Sequence, residues 1–67
     1  MKLAQFIKMQ RASAKLTQVD LAEKAGVGLR FIRDMEQGKE SLRLDKVNQV
    51  LQLFGYETGA VLIKRNA

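Results

Sequence analysis

Two short amphipathic segments joined by a turn constrain the fold of this chain more than any other feature. They span residues 18–25 and 29–37, and in each the apolar side chains recur at helical spacing. The expected buried side of the first comprises Val19, Leu21, Ala22 and Ala25. Thr17 stands at the N-cap of the first segment, and Asp20 has the spacing from it that a capping box requires. Gly26 follows the first segment directly, as a glycine that ends a helix does. The sequence therefore predicts two short helices that meet at a tight turn.

Helical spacing of apolar residues also marks a segment on each side of this pair. These segments span residues 2–13 and 44–54, and Gly55 ends the second. Residues 60–63 differ, because Ala-Val-Leu-Ile is a short β-branched run that predicts a strand. A lone strand leaves its backbone groups unpaired, so we expect it to pair with the same strand of a second copy. The expected fold is all-α, with four helices around one core in a single domain (residues 1–67) and a short C-terminal β-strand that pairs across a homodimer.

A second subunit is also the expected source of additional stability. A domain of 67 residues buries only about 60% of its unfolded surface, and this chain has no cysteine with which to form a disulfide. The 44–54 segment has an expected buried stripe of Leu44, Val47, Leu51 and Phe54, and Val50 and Leu53 make this stripe broader than a monomer of this size needs. It fits either a fully packed core helix or a helix that packs partly on a second subunit. The predicted dimerisation residues are Val50, Leu53, Phe54, Ala60, Val61, Leu62 and Ile63.

The charge balance points to nucleic acid, and the composition argues against catalysis. Twelve lysines and arginines against seven acidic residues give a net charge of +5, which is typical of a small nucleic-acid-binding domain. A basic protein without such a partner is the alternative.

Histidine and cysteine are absent, so the usual general base and metal ligands are missing. We expect no enzyme activity, no metal and no cofactor. The N-terminus has no long apolar run, so we expect a cytoplasmic protein with no signal peptide or membrane span.

Two short helices with a glycine-containing turn form a helix-turn-helix unit, in which the second helix enters the major groove of DNA. The motif runs from about Thr17 to Lys39. The run LTQVDLAEKAGV at residues 16–27, continued by GLRFI and closed by MEQGK at residues 35–39, resembles the helix-turn-helix of the Cro and phage-repressor-like family, also called the XRE family. The resemblance covers residues 1–55 and implies a repressor-like DNA-binding domain.

A narrower resemblance is to the small HipB-type antitoxins. It is carried by the runs GVGLRFIR, EQGK and LRLDKV and by the Val-Leu pair at residues 50–51. Such proteins repress their own operon, bind a HipA-type serine/threonine kinase toxin and form homodimers, often with a shared C-terminal strand. This resemblance implies a possible HipA-like kinase partner and agrees with the strand expected at residues 60–63.

Position by position, the resemblance to the XRE family implies roles for nine residues. The expected base-reading residues are Gly28, Leu29, Arg30 and Arg33, and the expected phosphate-binding residues are Gln18, Gln37 and Lys39. Arginine at a base-reading position suits the O6 and N7 atoms of guanine. Arg11 and Glu36 correspond to a semi-buried salt bridge that joins the first and third helices. Phe31 replaces the small residue usual in phage repressors, and it either packs beneath the helix or contacts DNA.

The function expected from these observations is a sequence-specific DNA-binding transcriptional repressor that binds a palindromic operator in double-stranded DNA as a homodimer. The leading version is the HipB-like antitoxin of a toxin-antitoxin operon, which regulates that operon and binds a HipA-like kinase. One alternative is a stand-alone or phage-type regulator with no toxin. Another is a protein-interaction module without DNA binding, against which the outward Arg30 and Arg33 argue.

Overall fold

Four helices make up the part of the chain that the computed structural model describes, which is residues 2–60. They are α1 (Leu3–Ser13), α2 (Gln18–Ala25), α3 (Leu29–Glu36) and α4 (Leu44–Leu53). Those residues contain no strand. Of the strand predicted at residues 60–63, all but Ala60 lies outside the described residues, and Ala60 has no regular secondary structure.

Three helix ends differ by one residue from the predicted bounds. α1 begins at Leu3, because Lys2 is extended and occupies the N-cap position. α3 and α4 each end one residue earlier than predicted, because Gln37 and Phe54 are their C-cap residues. A glycine with a φ of 84° follows each of these caps and turns the chain away from the helix axis.

The core lies where the four helices meet, and every helix contributes at least one fully buried side chain. α3 packs against α1 and α2, and α2 also packs against α4. The largest fully buried side chains are Ile7, Leu21, Ile32, Met35 and Val50. α3 is therefore held on its inner side by two neighbouring helices, which leaves its outer side for other contacts.

Two apolar residues expected in the buried stripes are exposed. Val19 lies two residues before the buried Leu21. This spacing places it about 200° around the helix axis from Leu21, on the opposite face of α2. Leu44 is the first residue of α4, one turn ahead of Val47, where the buried part of that helix begins. The spacing of apolar residues predicted that both side chains are buried, because spacing along the chain does not show on which side the neighbouring helix lies.

The turn between α2 and α3 is fixed at both ends. At the start of α2 both hydrogen bonds of the predicted capping box are present: the Asp20 backbone N–H donates to the Thr17 hydroxyl, and the Thr17 N–H donates to the Asp20 carboxylate, each at 3.0 Å. At its end Gly26 has a φ of 74°, and the Gln49 side chain of α4 donates to the Ala25 carbonyl at 2.7 Å. A Cβ at Gly26 would lie 3.1 Å from the Gln49 Nε2, so glycine suits this position for its backbone and for its size.

α1 ends without a glycine. Lys15 takes the left-handed conformation (φ 57°), and its neighbour Leu16 donates its N–H to the Arg11 carbonyl at 3.1 Å. A left-handed residue other than glycine costs about 1 kcal/mol. This turn brings the Leu16 carbonyl back to Arg11, whose Nη1 donates to it at 3.0 Å. The exit from α1 is thus tied to the arginine side chain.

Candidate nucleic-acid interface

Arg11 and Glu36 join α1 to the end of α3 by two hydrogen bonds. The Arg11 Nε donates to Glu36 Oε2 at 2.7 Å, and Nη2 donates to Oε1 at 3.0 Å. The Glu36 side chain is 2% exposed and that of Arg11 is 23% exposed. The two side chains that the resemblance to the XRE family paired therefore meet in the structure, in the bidentate arrangement that gives arginine–carboxylate pairs their directionality.

Gln18 is a third member of this buried network. Its Nε2 donates to Glu36 Oε1 at 3.1 Å from the first residue of α2. The network therefore connects α1, α2 and α3. Among the described residues, no buried side-chain nitrogen or oxygen lacks a hydrogen-bond partner. No sequence pattern predicted this contact, because the two residues are 18 positions apart and the resemblance assigned the Gln18 amide to a phosphate. In the structure one N–H of that amide is committed to Glu36.

The Glu36 carboxylate is held in its charged form. Desolvation by itself would raise the pKa of Glu36, but the hydrogen bonds from Arg11 and Gln18 and the charge of Arg11 outweigh it, so the pKa lies below its ordinary value. The hydrogen bond to Glu36 raises the pKa of Arg11. Both groups are therefore ionised at neutral pH, and together they fix the orientation of α3 relative to α1 and α2.

The outer side of α3 presents two arginines. The Arg30 side chain is 89% exposed and Arg33 is also exposed. Gly28 is the N-cap, and a Cβ built on it meets nothing within 4 Å, so the start of the helix is open. Leu29 is half-buried and packs against the core, so only part of its side chain faces outward. Phe31 is also half-buried against the core, which favours the packing role over DNA contact.

The residues that follow α3 are exposed, and Lys39 among them is tied back to Asp34. Gln37 is the C-cap of the helix. Lys39 donates its backbone N–H to the Asp34 carbonyl at 3.0 Å, and its Nζ lies 3.6 Å from Asp34 Oδ2. Arg30 Nε lies 3.3 Å from the other carboxylate oxygen, Oδ1. The i, i+4 spacing of Arg30 and Asp34 was the sequence signal for this contact, although no role had been predicted for Asp34.

Comparison with known proteins places this geometry in a family. The family model described as helix-turn-helix, which is of the XRE type, matches residues 7–61. The chain belongs to the helix-turn-helix family. In that family's terms α2 and α3 are the two helices of the motif, and residues 26–28 form the turn between them.

A named relative is also similar to this helix-turn-helix chain. It is the "Uncharacterized HTH-type transcriptional regulator y4mF" of Sinorhizobium fredii strain NGR234, and it is 48% identical over 50 residues. The match covers 75% of this chain and 66% of the relative, so the chain spans a little under two thirds of that protein's length. Neither comparison distinguishes the HipB-type antitoxins from other helix-turn-helix proteins.

The residues predicted for dimerisation occupy different environments. Val50 is fully buried in the core of its own chain, so it has no exposed surface left for a second subunit. Phe54 is half-buried against that core, whereas Leu53 is 41% exposed. Ala60 is exposed. The other three residues predicted for dimerisation, Val61, Leu62 and Ile63, lie outside the described residues. Of the two interpretations of the 44–54 segment, the packed core helix accounts for Val50. Of the three residues of that segment predicted to form the dimer, only Leu53 is exposed.

No helix within residues 2–60 is long and apolar enough to cross a membrane.

Proposed function

We propose that this protein is a sequence-specific DNA-binding transcriptional repressor that reads double-stranded DNA through α3. The observation that carries the proposal is the outer side of α3, where Arg30 and Arg33 are exposed next to an open helix N-terminus. The relative named as a transcriptional regulator supports the same reading. An α-helix fits the width of the major groove, and a guanidinium can donate two hydrogen bonds to a guanine edge.

In the proposed complex α2 crosses the sugar-phosphate backbone while α3 lies in the major groove. Gln37 and Lys39 are exposed beyond the end of α3 and contact phosphate oxygens. Gln18 keeps one N–H of its amide for a phosphate while the other holds Glu36. The Arg11–Glu36 pair contacts no DNA and sets the angle of α3. Repression follows when the bound protein occludes a promoter.

Arg30→Ala and Arg33→Ala are expected to differ from Lys39→Ala in their effect on base preference. Each arginine variant should relax the preference at one position of the operator, by about 1–3 kcal/mol where the contact to guanine is bidentate. Lys39→Ala should weaken binding to all duplexes by a similar factor, because a phosphate contact carries no sequence information. Affinities for an operator duplex and for its single-base variants measure the difference.

Lys24→Ala is a matched control, because Lys24 is an exposed cation on α2 for which no specific contact is proposed. Equal losses on specific and random DNA for the two arginine variants would contradict the base-reading assignment. A wild-type protein that binds no duplex at moderate salt would favour the protein-interaction module instead.

We further propose that the protein acts as a homodimer on a two-fold-related operator. The exposed Leu53 and the strand pattern of residues 60–63 support this proposal. Ending the chain after Thr58 should weaken dimerisation and operator binding together. Thr58 is held by the Asn48 side chain through two hydrogen bonds of 2.8 Å, so the shortened chain keeps this anchor to α4. Sedimentation at micromolar concentration is the measurement. A shortened protein that remains a full dimer with unchanged operator affinity would show that the tail is not needed.

The resemblance to HipB-type antitoxins supports a second role, in which the protein acts in the cytoplasm, represses its own operon and binds a HipA-like serine/threonine kinase toxin. The alternative is a stand-alone or phage-type regulator. The neighbouring reading frame distinguishes the two. If it encodes a kinase-like chain that co-purifies with this protein when the two are co-expressed, the antitoxin role holds. A neighbour of another kind leaves the stand-alone regulator.

A further inference from the structure

Asp34 is an accessible acid on a helix whose other outward charges are positive. The other acidic residue of α3, Glu36, is buried in the network with Arg11. The Asp34 side chain is 21% exposed, and its two oxygens face two different cations: Oδ1 lies 3.3 Å from Arg30 Nε and Oδ2 lies 3.6 Å from Lys39 Nζ. One carboxylate therefore connects the two cations to which the proposed function gives different tasks.

The two contacts constrain the cations differently. Arg30 uses its Nε for Asp34. The outer edge formed by its two Nη atoms therefore remains available to donate hydrogen bonds to the O6 and N7 atoms of a guanine. The Lys39 backbone N–H donates to the Asp34 backbone carbonyl at 3.0 Å, and its ammonium group lies at a longer distance, 3.6 Å, from the Asp34 carboxylate. Arg30 can keep its contact with Asp34 while it binds a base, whereas Lys39 exchanges the carboxylate for a phosphate.

Exposed ion pairs contribute little to folding, because solvent screens them and side-chain entropy opposes them. In a complex with DNA, however, a carboxylate next to the phosphate backbone is repelled by it. That repulsion is offset only where Arg30 gains base contacts. It therefore lowers the affinity most in complexes that use phosphate contacts alone.

We propose that Asp34 is a positioning residue that sets sequence specificity, by orienting Arg30 towards the base edge and by penalising complexes held through phosphates alone. This inference rests on the proposed DNA-binding function. It extends that function by assigning the discrimination between operator and random DNA to an acidic residue that contacts no base.

The test compares Asp34→Asn with Glu57→Gln in the full chain. Both variants remove one negative charge, and Glu57 is an exposed residue that lies after α4. Affinities are measured for an operator duplex and for a random-sequence duplex of the same length at one salt concentration. Asp34→Asn should bind random duplex about three- to tenfold more tightly and should lose about tenfold of its preference for the operator. Glu57→Gln should change both affinities by about twofold or less.

Two further variants separate positioning from charge. Asp34→Glu restores the carboxylate and should recover much of the operator preference. In an Arg30→Ala background, Asp34→Asn should cause no further loss of preference at the base position that Arg30 reads, because the positioning effect acts through Arg30. Thermal unfolding of each variant confirms that the fold is retained.

Three results would overturn the inference. If Asp34→Asn changes the two affinities no more than Glu57→Gln does, Asp34 is an ordinary surface charge. A full loss of preference from Asp34→Asn in the Arg30→Ala background would show that Asp34 does not act through Arg30. A wild-type protein without any preference for an operator would remove the proposed function itself, and this outcome is distinct because it appears before any variant is compared.

Discussion

Glu36→Ala is expected to lower the free energy of unfolding by up to about 3–5 kcal/mol, an upper bound because the Arg11 side chain left without its partner is 23% exposed. The substitution leaves the Arg11 guanidinium partly buried without its partner and removes the acceptor of the Gln18 amide. Small domains have total stabilities of about 5 kcal/mol or a little more, so the variant should be largely unfolded at moderate temperature. Urea or thermal unfolding followed by circular dichroism measures the effect.

Glu40→Ala is the matched control for Glu36→Ala. Glu40 is an exposed glutamate in the loop after α3, and its removal should change stability by about 0.5 kcal/mol or less. A double variant, Arg11→Met with Glu36→Leu, should regain much of the lost stability, because apolar side chains of similar size do not leave a buried charge. A Glu36→Ala protein with unchanged melting temperature and lost DNA specificity would contradict the structural role of the pair.

The same network predicts how stability depends on pH. The pKa of Glu36 is lowered in the folded state, although desolvation alone would raise it, because the Arg11 and Gln18 hydrogen bonds dominate. A hydrogen bond from the Thr17 backbone lowers the pKa of Asp20, and one from Arg43 lowers that of Asp45.

A group whose folded pKa is lowered contributes stability above its unfolded pKa, which is about 4.3 for glutamate and 3.9 for aspartate, and loses it as the pH falls through the folded value. The melting temperature should therefore fall in acid below about pH 4.5. With no histidine in the chain, it should change little between about pH 5 and 8. Glu40→Ala should keep this acid dependence, because it leaves the hydrogen bonds of Glu36 with Arg11 and Gln18 intact. A melting temperature that holds steady into acid would contradict it.

Operator affinity is expected to fall several hundredfold when salt rises from about 50 to about 200 mM. Each phosphate neutralised by a cation contributes about −0.9 to the slope of log K against log salt, and a dimer that uses two or three cations per subunit gives a slope of about −4 to −5. The net charge of +5 supports this count, in which Lys39 is the assigned phosphate contact and the exposed Arg30 and Arg33 also displace counterions where they enter the groove. Fluorescence anisotropy over a salt series is the measurement.

Lys39→Ala should reduce the magnitude of that slope by about 2 in the dimer, since one phosphate contact is lost in each subunit. Lys24→Ala should leave the slope near the wild-type value. A salt response that is flat for the wild-type protein would contradict the electrostatic part of the proposed complex.

The sequence predicted the helices well because their ends carry local signals. The capping box of Thr17 and Asp20 and the glycine at Gly26 depend only on neighbouring residues, and the structure shows both. The exposed position of Val19 was not predicted, because on a helix of eight residues the apolar pattern does not determine which side meets the next helix. The sequence therefore predicted the helix ends, but it did not predict which face of α2 packs against the core.

The candidate site was predictable only in part. Exposed Arg30 and Arg33 follow from their place in the motif. The contact between Gln18 and Glu36 depends on how α2 and α3 cross, and no spacing along the chain encodes it. Val50 was assigned to a dimer surface because a broad apolar face has the same sequence pattern whether a neighbouring helix or a second subunit covers it.

Selection from a pool of random duplexes tests whether α3 reads DNA sequence. The wild-type protein is incubated with the pool at about 150 mM salt, and bound DNA is recovered and sequenced over successive rounds. We expect enrichment of one short sequence, in two copies related by a two-fold axis, with a guanine whose enrichment disappears when Arg30 or Arg33 is replaced by alanine. Recovery of duplexes with the base composition of the starting pool, after rounds in which the folded protein did retain DNA, would contradict sequence-specific reading by α3.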